Sequence, residues 1–245
     1  MSLYRFSKKL LFVLILNLSA PSLSLAESVL SITSGRGEPF VNNQQTGFYD
    51  LIVKHMFERI NIKAKTVVLP SERSLINANT GIDDGNIARI KGIEKKYLNL
   101  LMVPEKIIDF EFVAFTKNQP LKVNNWQDLK PYNIAFINGW KLFEKKVTDY
   151  KSLIRTRNSK QLFDLLENNR ADIALYDLWS GVWHIKQSKS KIDYLRPSIA
   201  SYQLYLYINK KHEKLLPDLT QALKAMKEDG TYQKIYTQSL VNRLQ

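Results

Sequence analysis

Apolar residues recur along the chain in two alternating rhythms. "VLSITS" (29–34) and "KAKTVVL" (63–69) are short β-branched runs of strand type. Between them Phe48, Leu51, Ile52, Met56 and Ile60 repeat at helical spacing. "PSERSLINANTG" (70–81) predicts a short helix, with Pro70 suited to its first turn and Gly81 just past its end. A polar turn then leads into "GNIARI" (85–90), which reads as a strand although it carries an arginine, Arg89. A short helical piece near "IEKKY" follows, then two strands, "LLMV" and "FEFVAFTK" (110–117).

The polar stretch "NQPLKVNNWQDLKP" (118–131) reads as a connection, after which the alternation restarts. Strand "YNIAFI", helix "WKLFEKKVTDY", strand "LIRT", helix "SKQLFDLLENN", strand "ADIALY" and helix "DLWSGVWHIKQ" come in that order. "YQLYLYINK" (202–210) is a strong strand, and helices over 213–228 and 231–240 close the chain. Strands alternating with helices argue for an α/β protein with largely parallel sheets, and two such blocks suggest two lobes.

The first residues change that picture little. "MSLYRFSKK" is basic, "LLFVLILNLSA" is apolar, and "SLA" precedes Glu27, the layout of a secretory signal (1–26) cleaved after Ala26. The apolar run falls short of the roughly 20 residues that span a bilayer as a helix. There is no cysteine, so neither a lipid-modified cysteine nor a disulfide is available. The mature product is expected to be soluble and exported, and similarity to bacterial signals places it in the periplasm. The formal net charge is +13, but lysines occur as scattered pairs such as Lys95–Lys96, Lys145–Lys146 and Lys210–Lys211. A binding face for nucleic acid would gather them into a stripe. The expected surface is therefore solvated and basic, without a nucleic-acid partner, while attraction of an anionic ligand stays open.

Signatures of catalysis and metal binding are missing. His55, His184 and His212 have no ligand spacing, and no phosphate-cradling loop or nucleophile elbow occurs. No cofactor or metal is expected.

The order of the pieces resembles the periplasmic substrate-binding proteins of ABC importers, in particular the polar-amino-acid-binding family (family 3). The resemblance is carried by "GEPF…TGFYDLIVKHM", "LPSERSLINANTGIDDG", "DLKPYNIAFINGW", "LLENNRADIALYDL" and "LKAMKEDGTYQKIYTQ". In that family a small residue and an aspartate begin a strand whose far end meets the ligand, and "GIDDG" and "NRADIALYD" look like two instances. The resemblance implies a two-lobed, type II periplasmic-binding-protein fold with the ligand cleft between the lobes. Lobe 1 would be discontinuous, 27–117 plus 203–245, and lobe 2 would span 118–202, with "EFVAFTK" and "QLYLYIN" as crossing strands. The ligand would sit at the carboxyl ends of the strands and be trapped as the lobes close.

Candidate site residues follow from this layout. Arg89, at the carboxyl end of its strand, offers a fork of donors suited to a bidentate carboxylate, or else forms a surface or interlobe ion pair. The family usually has a threonine and then an arginine at the start of the next helix; this chain has "IEKKY" there, so the carboxylate clamp is moved or lost. Arg73, at a helix start, would meet an anion or pair with Glu72 or Asp84. Phe40 matches the family's loop aromatic over the ligand or is ordinary core, and Glu38 beside it is either an ammonium acceptor or a solvated carboxylate. In the second lobe Gly139 permits close backbone approach and Trp140 would stack over the ligand, or "INGW" is simply the start of a helix. Asp177 would take a ligand ammonium, cap the next helix, or do both; Tyr176 and Trp179 beside it read as packing residues. The implied protein is a monomeric, non-enzymatic binder of a small polar, amino-acid-like carboxylate, partnered by the permease of an ABC importer. Two alternatives stand beside it. One is an enzyme of the cyclohexadienyl dehydratase type using Glu38 or Glu72, and the other is a sensor partner without transport.

Overall fold

The computed structural model describes residues 29–117, 121–188 and 191–242. The expected signal and its cleavage point lie outside these residues. In the first half, β1 (Leu30–Ser34) is flanked in parallel by β2 (Ala64–Val68) and β3 (Gly85–Ile90). Helices α1 (Phe48–Glu58) and α2 (Ser71–Thr80) connect them, and α2 ends as its sequence predicts, with Gly81 left-handed at φ +82°.

The strand-initiating aspartate of this half has a clear task. One Asp84 oxygen accepts the Ser31 N–H at 2.8 Å, tying β1 to the start of β3, and the other meets Lys211 and His212 at 2.7 Å each. Burial alone would raise the Asp84 carboxyl; Lys211, the Ser31 N–H and His212 together hold it below its ordinary value.

The next segment departs from expectation. "LLMV" and 110–117 are not two strands but parts of one, β4 (Leu100–Thr116). Exposed Pro104 cannot donate to a ladder, and the chain accommodates it by register shifts between Met102 and Ile108 rather than by stopping the strand. The helical piece near "IEKKY" is only a tight turn over Ile93–Lys95.

The second half repeats the plan. β5 (Asn133–Ile137) pairs in parallel with β6 (Ser152–Thr156) and β7 (Ile173–Asp177), with α3 (Lys141–Lys146), α4 (Ser159–Glu167) and α5 (Leu178–Ser188) as connections. Asp172 plays the part of Asp84, accepting the backbone and side-chain N–H of Asn133 at 2.8 Å each. Helix α3 stops at Lys146, short of the predicted Tyr150, where β-branched Val147 and Thr148 leave helical geometry. A two-residue strand, β8 (Asp193–Tyr194), pairs with the end of β4.

Strand β9 (Ala200–Asn209) runs antiparallel to β4 along its length. Its later residues also pair with β3, while the far end of β4 pairs with β7, giving the order β2-β1-β3-β9-β4-β7-β5-β6. Helices α6 (Leu216–Glu228) and α7 (Thr231–Tyr236) then return to pack on β4 and α1 in the first half. Two groups of parallel strands are thus joined by a pair of antiparallel strands that belong to both.

An aromatic ladder crosses the junction inside this sheet. Tyr49 stacks on Phe40 at 4.6 Å, Phe40 meets Phe110 at 5.7 Å, Phe110 meets Phe112 at 5.3 Å, and Phe112 reaches Phe143 and Trp140 at 5.6 and 5.9 Å. In the second half α5 lies so close to β4 that a Cβ on Gly181 would sit 2.1 Å from the Phe115 ring. Only glycine permits that approach.

Candidate ligand-binding cleft

Parallel strands of both halves point their carboxyl ends at one place, and a cavity of about 450 Å³ lies there. It is lined by residues 34–36 after β1, 87–90 on β3, Phe112 on β4, 139–142 after β5, and Ser71 at the start of α2. A second hollow of about 540 Å³ shares Arg36, Arg89, Phe112 and Lys141 with it and extends over Leu75, Phe110 and Leu204. Arg36, Arg89 and Lys141 line the first cavity, Lys145 and Lys146 are added in the second, and no acidic residue lines either.

Arg89 answers the puzzle of its strand. Ala88 adopts φ +65°, and the pairing of β3 with β9 shifts register between Asn86 and Arg89. This bulge re-aims the guanidinium onto the first turn of α2. Nε donates to Asn86 at 2.5 Å, Nη1 to the Ser71 hydroxyl at 2.9 Å, and Nη2 to the Ser71 carbonyl and the Ser74 hydroxyl at 3.0 and 2.6 Å. Every acceptor is neutral, and no carboxylate among the described residues forms an ion pair with Arg89. Burial, then the nearby Arg36, pushes its pKa down to about 10, so it is cationic at neutral pH. Four of its five N–H groups are committed, leaving one on Nη1. The expected bidentate fork is therefore replaced by an anchored cation with a single free donor.

Arg36, which the sequence reading passed over, is the second guanidinium of the cleft. It lies over the Phe110 ring at 4.2 Å and near Trp140 at 5.5 Å, and Nη1 meets Asp177 Oδ2 at 3.3 Å. This contact joins the loop after β1 to the end of β7. The signal for it was available, because Arg36 follows the first strand just as Arg89 ends the third.

Asp177 is fully buried. Oδ2 faces Arg36, and Oδ1 accepts the Ser180 N–H at 2.9 Å, the capping role weighed for it. Burial raises its pKa despite the guanidinium alongside. The place expected for a ligand's ammonium is held by the protein's own arginine.

Trp140 lines the cavity, stacked on Phe143 at 5.5 Å and packed against Tyr176 at 4.8 Å. Neighbouring Gly139 gives its N–H to Glu144 at 2.9 Å, which also pairs with Lys141 at 2.7 Å.

The remaining candidates do not line the cavity. Phe40 is 0% exposed, a rung of the aromatic ladder stacked on Tyr49 of α1, the core position weighed for it. Arg73 is exposed on α2. Glu38 has one oxygen buried without a hydrogen-bond partner among the described residues, outside the cavity wall. Glu72 is also outside it, bonded to Tyr97 and Lys96 at 2.8 and 3.0 Å; these two bonds hold its carboxyl below the ordinary value. Among the described residues no group of three or more His, Asp or Glu could hold a metal ion, and no helix is long and apolar enough to cross a membrane.

Solved structures share this fold. An ancestral arginine-binding protein bound to glutamine superposes with TM-score 0.67 at 18% identity, covering 86% of this chain and 96% of that one. The fold is a two-lobed periplasmic-binding-protein fold. The substrate-binding protein of an amino acid ABC transporter matches with TM-score 0.63 at 19% identity, over 86% of this chain and 97% of that one. The GluR0 ligand-binding core from Nostoc punctiforme, in complex with L-glutamate, matches with TM-score 0.66 at 18% identity, over 86% and 98%. In sequence the chain is 22% identical over 228 residues to an uncharacterized protein of Shewanella oneidensis, covering 90% of this chain and 86% of that protein. No family model matches.

Proposed function

We propose that this chain is an exported solute-binding protein, which captures a small carboxylate-bearing ligand between its lobes and presents it to the permease of an ABC importer. Lobe 1 comprises 27–117 and 203–245, and lobe 2 comprises 118–202. The observation that carries this reading is a cavity at the carboxyl ends of strands from both halves, lined by three cations and no acid. Arg89 makes no ion pair with a carboxylate of the described residues, Glu72 acting on it only from a distance, so an anion entering the cleft supplies a direct counter-charge. Residues in open α/β sheets that stand at strand ends are placed to meet ligand, and the binding proteins that share the fold support the same use of it.

The carboxylates considered for acid–base catalysis on the scaffold, Glu38 and Glu72, do not line the cavity. Replacing Arg89 with alanine is expected to weaken capture of a carboxylate ligand by roughly 2–5 kcal/mol, as for truncating one partner of a desolvated charge pair. Titration calorimetry on the wild-type and Arg89→Ala proteins measures this, and equal affinities would remove Arg89 from the site. Incubation with candidate solutes should return them unchanged by mass spectrometry.

A further inference from the structure

The cleft contains an arginine that behaves as a built-in occupant. Arg36 rests its guanidinium on Phe110 and Trp140 and directs Nη1 at Asp177. A cationic ligand group would have to use those same three surfaces. With Asp177 fully buried behind Arg36, and with no acid lining either cavity, a ligand ammonium has no counter-charge to meet. Burying it unpaired would be costly.

The charge balance also limits the anion. Arg36 is paired with Asp177 and Lys141 with Glu144, which leaves Arg89 as the cation of the first cavity's wall without an ion pair to a described carboxylate. One carboxylate neutralises it, held by the free Nη1–H of Arg89 and the uncommitted face of Arg36. Beyond these cations, Ser34 and Ser71, the walls carry apolar side chains, Ile87, Phe112, Trp140 and Leu142, continued by Leu75 and Leu204. From this arrangement we infer that the ligand class is a monocarboxylic acid with an apolar body and no ammonium group, and that Arg36 is the residue that rejects free α-amino acids. This rests on the carboxylate-capture reading above and narrows it.

Matched pairs of probes that differ only in the amine provide the test: 3-phenylpropanoate against L-phenylalanine, and 4-methylpentanoate against L-leucine. Affinities are measured by titration calorimetry on the purified exported chain, with thermal shift as a second readout. The acid of a pair should bind at least about tenfold more tightly than its amino acid, because only the latter buries an unpaired charge. In Arg36→Ala, where Asp177 is uncovered, the gap should narrow or reverse. An amino acid binding as tightly as its acid in the wild-type protein overturns the inference and leaves carboxylate capture standing. A gap unchanged in folded Arg36→Ala overturns the role given to Arg36. If no member of either pair shifts the melting of the folded wild-type protein, the inference and the carboxylate reading fall together.

Discussion

Arg36 and Asp177 show how much one side chain decides. The arginine side chain is 27% exposed and the aspartate 0%, so the pair is asymmetric, a cation reaching in from the cleft to a carboxylate that water does not reach. Removing the cation leaves that carboxylate without its ion-pair partner, which costs up to about 3–5 kcal/mol to the extent that it stays shielded from water. Arg36→Ala should therefore be destabilised at neutral pH, and the double variant with Asp177→Asn less so. The pH dependence has a definite sign. The folded pKa of Asp177 is raised above its ordinary 3.8, so the cost of ionising it is fully present above the folded pKa and disappears as pH falls toward 3.8. Urea denaturation of Arg36→Ala from neutral pH down to about pH 4 should show its deficit relative to wild type shrinking; a constant or growing deficit would contradict the assignment. The rule that strand ends meet the ligand led to Arg89 and Trp140 in the sequence. It missed Arg36 because it was not applied to the first strand. For Phe40 and Glu38 the sequence left the choice between cleft and another role open, because a loop's path depends on packing against elements distant in sequence, as where Phe40 stacks on Tyr49 of α1.

At the level of elements, Gly181 and Ala88 mark two places where the backbone sets what side chains can do. Helix α5 is pressed against Phe115 at Gly181, so Gly181→Ala overpacks a buried contact and should cost about 1–3 kcal/mol. The helical preference of alanine offsets part of that. Chemical denaturation measures the balance, and an unchanged midpoint would mean that α5 can move away freely. The bulge at Ala88 turns an arginine written into a strand toward the first turn of α2. Hydrophobic periodicity located β3 but could not show that bulge, since nothing in "GNIARI" is a glycine at the position that turns left-handed. Likewise "LLMV" and "FEFVAFTK" read as two strands, and Pro104 between them proved to be an exposed irregularity within β4. Local pattern reports what a segment prefers, whereas pairing partners decide where it ends.

Across the whole molecule, the alternation of strands and helices was enough for the α/β class and for two blocks, because each block pairs its own parallel strands. The order of strands in the sheet was not legible, since it depends on pairings between residues roughly a hundred positions apart, such as Leu101 with Ile208. Those same pairings have a thermodynamic corollary. With β4 and β9 threaded through both halves, and an aromatic chain from Tyr49 to Phe143 between them, neither half can melt without exposing the other's interior. Scanning calorimetry should give one endotherm whose calorimetric and van't Hoff enthalpies agree. A solute held at the junction then protects the entire chain against heat, and against any protease that needs it unfolded.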